Sequence, residues 1–116
     1  MRPWVLLAGL NGFVAVAFAA YTAHGLAGQA YAQSLAERAW QFQILHALAL
    51  LAAERLGRPG RLACLLFTVG ILLFSGSLYV KALAGSLAVP LVTPAGGICF
   101  LAGWLALAAG AWSRER

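Results

Sequence analysis

The stretch Leu62–Leu83 reads LACLLFTVGILLFSGSLYVKAL, and Lys81 is its single charged residue. A helix rises about 1.5 Å per residue, so this run reaches roughly 33 Å, enough to cross the hydrocarbon of a bilayer. Three other runs have the same character, at about residues 4–23, 39–54 and 95–112. The expected fold is therefore an all-α membrane protein, a four-transmembrane-helix bundle forming a single domain over residues 1–116. The second run is short as an apolar segment. The preceding Gln29–Arg38 is helix-compatible and reads either as a short interfacial helix between the first and second spans or as further turns on the second span.

Composition agrees with this. Hydrophobic residues make up 63% of the chain and charged residues 9%, with a mean hydropathy of +0.86. A soluble domain carries about a quarter charged residues, so most of this surface must face lipid. The net charge of +5 is spread between apolar runs, without the basic-aromatic interleaving of a nucleic-acid groove. Anionic lipid headgroups are the better electrostatic match, and no nucleic-acid partner is expected. Cys64 and Cys99 lie inside apolar runs and read as small hydrophobes.

The connections are short. Gly57, Pro59 and Gly60 break the chain after the second span, and Pro90 and Pro94 punctuate the third connection. Lys and Arg in short loops set orientation. With four spans, Arg2, Arg55, Arg58, Arg61, Arg114 and Arg116 share one side, and Arg38 and Lys81 the other. The expectation is N-in/C-in in a bacterial inner (plasma) membrane. Tyr21, Tyr31, Trp40 and Tyr79 then fall near the outer interface, and Trp4 and Trp112 near the inner one. Arg2, the apolar run and Ala17-Phe18-Ala19 also fit a cleavable secretory signal; the segment is read here as the first span.

Polar side chains in hydrocarbon are costly, so their positions carry the functional information. Gln41, Gln43 and His46 fall in the outer part of the second span, and Ser75, Ser77, Tyr79 and Lys81 in the outer half of the third. His24 closes the first span and Thr93 opens the fourth on that side. Asn11 and Thr68 are nearly alone in the inner half. Gln43 and His46 share a helix face, and Asn11, Ala15, Phe18 and Thr22 line one side of the first helix. This set is the candidate ligand- or partner-binding cluster. The competing reading is that Gln, Ser and Thr glue helix to helix, that His46 makes a structural hydrogen bond, and that Lys81 snorkels to the headgroups. Glu37 is open to pairing with Arg38 or Lys81.

Two histidines raise the question of haem or metal. His24 and His46 differ in depth and no carboxylate accompanies them in the membrane, so no metal or cofactor is expected. Small residues suggest close helix packing at Gly76, Gly96, Gly97, Ala102, Gly103, Ala106 and Gly110. Ala102, Ala106 and Gly110 recur at intervals of four, as do Ala15, Ala19 and Ala23. Such stripes serve packing within the chain or self-association, so a homo-oligomer or a membrane-protein partner is among the expectations.

Four blocks in order give the chain a family likeness. They are Ala23-His24-Gly25-Leu26, Gln41-Phe42-Gln43-Ile44-Leu45-His46-Ala47-Leu48, Phe74-Ser75-Gly76-Ser77-Leu78-Tyr79, and Thr93-Pro94-Ala95-Gly96-Gly97 leading into Ala102-Gly103-Trp104. Over almost its whole length the chain resembles the YgdD-like family of small membrane proteins, catalogued as a domain of unknown function. Thr22 departs from that pattern, which usually has glycine there. The resemblance implies a four-helix inner-membrane protein and brings no reaction, substrate or cofactor.

An enzyme lacks its chemistry here. No carboxylate is buried in the membrane core for general acid-base work, and no Ser-His-Asp set assembles from three acids outside it. The leading expectation is a non-enzymatic bundle binding a lipid, small ligand or protein partner through the outer-leaflet cluster. The alternative is a small oligomeric transporter or channel with His46 or Lys81 handling charge.

Overall fold

The computed structural model describes residues 1–86 and 89–114. It is built of helices α1 (Pro3–His24), α2 (Ala30–Ala53), α3 (Gly57–Ala84) and α4 (Val92–Arg114). Pro3 opens α1 where a missing N–H costs nothing. No Gly or Pro interrupts Ala30–Ala53, so α2 runs through the segment that had two sequence readings. A separate interfacial helix is not formed, because the Ala-rich segment from Ala30 to Ala39 propagates directly into the next turns. Pro59 and Pro94 both sit in the first turn of their helices. Gly85 ends α3 with φ +85°, its N–H returning to the Lys81 carbonyl, a left-handed cap that favours glycine.

By length and apolarity, α1, α3 and α4 are each capable of crossing a membrane. The first half of α2 is more polar, with Gln33, Ser34, Glu37, Arg38 and Gln41. The four helices form two antiparallel hairpins, α1 on α2 and α3 on α4, joined through α2 and α3. Large apolar side chains such as Phe13 and Val16 of α1 and Leu101 and Leu105 of α4 point away from the bundle, the arrangement lipid rewards. At one end Arg2 grips Glu54 through contacts of 2.6–3.0 Å, pinning the start of α1 to the end of α2. That end also holds the arginine-rich turn of Arg55, Arg58 and Arg61.

The α3–α4 seam alternates rings with glycines. A Cβ at Gly96 would stand 2.3 Å from the Phe74 backbone nitrogen, one at Gly103 2.5 Å from the Phe67 ring, and one at Gly110 2.5 Å from Pro59. Gly70 of α3 returns the pattern, accepting the Phe100 ring of α4. Gly96, Gly103 and Gly110 thus recur every seven residues down one face. Gly76 and Gly97 are different, since a Cβ at either would make only an ordinary contact at 3.9 Å. Ala106 packs on the core and Gly110 is buried against α3, so that much of the small-residue stripe packs within the chain.

Within α3, Ile71–Ser75 forms a π turn. Ala63, Phe67, Ile71, Ser75 and Tyr79 are all buried, at strict intervals of four. On a regular helix of 100° per residue such a series would fan through roughly 160°. The wider i→i+5 turn takes up part of that drift, keeping the line facing the neighbouring helices.

Candidate functional site

The cluster expected from the sequence divides into a buried lattice and an open groove. The lattice begins with Tyr79, whose hydroxyl donates to Gln43 Oε1 at 2.6 Å. Gln43 Nε2 donates to Asn11 Oδ1 at 3.0 Å, and Asn11 Nδ2 donates to the Leu7 carbonyl at 2.9 Å. One directional chain therefore ties α3 to α2 and α2 to α1. The Tyr79 ring is stacked on Phe18 at 3.9 Å between centroids, which fixes the hydroxyl's aim.

His46 is 1% exposed and holds a second connection. An indole N–H only donates, so Trp104 Nε1 donating at 3.1 Å makes Nε2 of His46 the acceptor. Nδ1 then carries the proton and donates to the Phe42 carbonyl at 2.7 Å. The imidazole lies parallel to the Phe100 ring at 3.7 Å, with Phe67 and Trp104 tilted against it. Both ring nitrogens are thus engaged by a single neutral tautomer.

Ser75 donates to the Ala39 carbonyl at 2.8 Å, bridging α3 to α2. Ser77 donates to the Phe74 carbonyl at 2.9 Å, which leaves the Thr93 hydroxyl as donor in the Ser77–Thr93 contact joining α3 to α4. Thr22 is buried and donates back to the Phe18 carbonyl, so the residue standing where glycine was expected is accommodated. Thr68 donates to the Cys64 carbonyl of its own helix and stays outside the lattice. Among the described residues, no buried side-chain N or O lacks a partner.

The groove opens at the end opposite the arginine-rich turn. It measures about 600 Å³, and both Arg38 of α2 and Lys81 of α3 line it. Thr93 and Pro94 contribute the first turn of α4, and Leu35 and Leu78 an apolar wall. The Lys81 ammonium stands 6.0 Å from the centroid of the Tyr31 ring. Thr93 belongs to groove and lattice at once. Gln41 and His24 are exposed and join neither. Glu37 is exposed and forms no ion pair among the described residues, where Arg2–Glu54 is the pair present.

Sequence reasoning underrated Asn11 by its depth and took Trp104 only as part of a motif. The signal for Asn11 was its place on the same α1 face as Phe18 and Thr22. For Trp104 no single-helix periodicity points to His46.

Comparison with known proteins sets this architecture in a family. A family model described as "Protein of unknown function (DUF423)" matches residues 18–97. A UPF0382 membrane protein of Haemophilus influenzae is 40% identical, covering 98% of this chain and 97% of its own length. The Escherichia coli UPF0382 inner membrane protein YgdD is 33% identical, covering 99% and 93%. The Bacillus subtilis UPF0382 membrane protein YwdK is 32% identical, covering 96% and 97%. No solved structure matches the chain. With the family model over most of its length and full-length relatives above 30% identity, the chain belongs to the DUF423/UPF0382 family of membrane proteins.

Proposed function

We propose that this protein is a non-enzymatic four-span bundle of the bacterial inner membrane, with both termini cytoplasmic, that holds a ligand at its outer end. Helix α2 counts as a span on this reading because it has 24 residues, roughly 36 Å of rise. Its buried positions run from Leu35 to Ala53, the depth of the bundle. The Arg2–Glu54 contact supports a shared side for the N-terminus and the α2–α3 turn, and the basic residues at that end fit the cytoplasmic face. The compartment follows the inner-membrane naming of the E. coli relative.

The observation that carries the reading is the groove of about 600 Å³, which has Arg38, Lys81 and Thr93 on its wall and no carboxylate among its lining residues. Gln43, His46, Ser75 and Tyr79 hold the helices to one another outside the groove lining, and Arg38, Lys81 and Thr93 face the ligand. Conduction past His46 has less support. Its ring is packed among Phe100, Phe67 and Trp104, and both nitrogens are already engaged.

Native mass spectrometry of gently extracted protein tests this. An extra mass on wild type, lost in Arg38→Ala/Lys81→Ala, is the expected result. Gln43→Ala/His46→Ala should lose stability yet keep the adduct on whatever fraction stays folded. Bare wild-type chain, or an adduct indifferent to Arg38 and Lys81, would refute the groove. Multiples of the chain mass would report self-association in the same spectra.

A further inference from the structure

The two basic residues that stand apart from the arginine-rich end line the same cavity. Short translocated segments normally avoid Lys and Arg, so the placement of Arg38 and Lys81 in one groove asks for a reason. No carboxylate lines that groove. Glu54 is engaged by Arg2 at the opposite end of the bundle, and neither Arg38 nor Lys81 forms an ion pair among the described residues. Snorkelling alone explains a lone cation near headgroups. It does not explain two cations from different helices sharing a concave wall.

The lining favours an anion rich in acceptors. Arg38 brings a planar fork of N–H donors and Lys81 three more, and the first turn of α4 presents the positive end of a 23-residue helix. Ser34 is already committed to the Tyr31 carbonyl, so the charged groups dominate. Two features point to a lipid. The cavity is much larger than a bare ion needs, and Leu35, Leu78, Pro90 and Pro94 add an apolar side to the cationic one. The cations also lie toward the same ends of their helices, Lys81 about 5 Å from Ala84 and Arg38 about 12 Å from Ala30, within reach of headgroups for side chains of their length.

We infer that the groove is a site for the phosphate of an anionic phospholipid of the outer leaflet, with Arg38 and Lys81 pairing the phosphate and the Leu35–Leu78 wall meeting the glycerol and upper acyl region. This rests on the topology and ligand-holding role proposed above, and it names the ligand class.

The test titrates phosphatidylglycerol or phosphatidylcholine into the full-length protein in a neutral maltoside detergent and counts retained lipids by native mass spectrometry. Wild type should retain phosphatidylglycerol at least tenfold better than phosphatidylcholine, with the preference shrinking as salt rises. Each of Arg38→Gln and Lys81→Gln should weaken phosphatidylglycerol retention roughly fivefold, and the pair roughly 25-fold. Lys81→Glu should abolish or invert the preference. Each variant is compared only where its thermal melt matches wild type. Should one fail to fold, the other and the salt series still decide the matter.

Equal retention of the two lipids by wild type, or an unchanged preference in the double variant, would overturn the assignment. Displacement of phosphatidylglycerol by millimolar inorganic phosphate would also overturn it, marking a soluble anion as occupant. A phosphate-free adduct that survives purification and depends on Arg38 and Lys81 would sink the phospholipid assignment alone and leave the ligand groove standing.

Discussion

Replacing Gln43 by leucine probes the centre of the lattice at nearly constant volume. The substitution removes the acceptor at 2.6 Å from the Tyr79 hydroxyl and the donor at 3.0 Å from Asn11 Oδ1. Both orphaned groups lie between helices, away from water. Hydrogen bonds between membrane helices average about 0.6 kcal/mol and reach about 1.7 kcal/mol, and a buried group left unpaired costs about 1–3 kcal/mol. Two such losses at one residue give an expected destabilisation of about 1.5–3 kcal/mol. The sharper forecast is a change of sign. In wild type, Tyr79→Phe removes a satisfied hydroxyl and should cost about 1 kcal/mol. In the Gln43→Leu background it removes a hydroxyl that has lost its acceptor, and should cost nothing or restore part of the loss. Reversible titration with dodecyl sulfate in mixed micelles, followed by tryptophan fluorescence, measures all four corners of the cycle. If Tyr79→Phe costs the same in both backgrounds, the two residues are uncoupled and the lattice has been misread.

Other outcomes follow from the same contacts. Gly96→Ala should destabilise by about 2 kcal/mol or more, since its Cβ would strike the Phe74 backbone. Gly97→Ala, one residue on, should be neutral or stabilising by up to about 1 kcal/mol through helix propensity; the same titration reads both. Trp104→Phe keeps a ring against Phe67 but deprives His46 Nε2 of its donor, for a loss of about 1 kcal/mol. His46→Ala takes the acceptor from the Trp104 indole and should shift the tryptophan emission of the folded protein, whereas His24→Ala should not. Arg2→Ala should change stability by less than about 1 kcal/mol despite the short contacts, because the arginine is 59% exposed. Thermal melts at low and high salt check this, and any effect should fade with salt.

How far the fold could be read from the sequence depends on which contacts were local. Helices follow from apolar length, and their ends from Gly57, Pro59, Pro90 and Pro94, because these are properties of single segments. The pairing of helices is not such a property. The stripe Ala102–Ala106–Gly110 stood out at intervals of four, while α3 and α4 mesh at intervals of seven, with Gly96, Gly103 and Gly110 taking Phe74, Phe67 and Pro59. Both spacings lie on nearby helix faces, and only the partner's rings select between them. The π turn at Ile71–Ser75 was equally invisible. No Gly or Pro falls within it, and Ser75 and Tyr79 at its end and beyond are bonded to Ala39 and Gln43 of α2, contacts that a single segment does not reveal.

The same distinction sorts the polar residues. From sequence alone, Gln43, His46, Ser75, Tyr79 and Lys81 formed one cluster, since each is costly near hydrocarbon and each falls toward one leaflet, while Arg38 counted only as a charge on the same side. Their partners split them. The first four meet the cost of burial inside the bundle through named donors and acceptors, so folding is sufficient reason for their presence. Arg38 and Lys81 have no acid across from them in the groove they share. Folding gives no account of that pair, because two cations on adjoining helices weaken the packing between them unless an anion intervenes. Gln43, His46, Ser75 and Tyr79, all inside the family-like blocks, therefore explain how the chain holds together, and the two cations outside those blocks are where its partner chemistry should be sought.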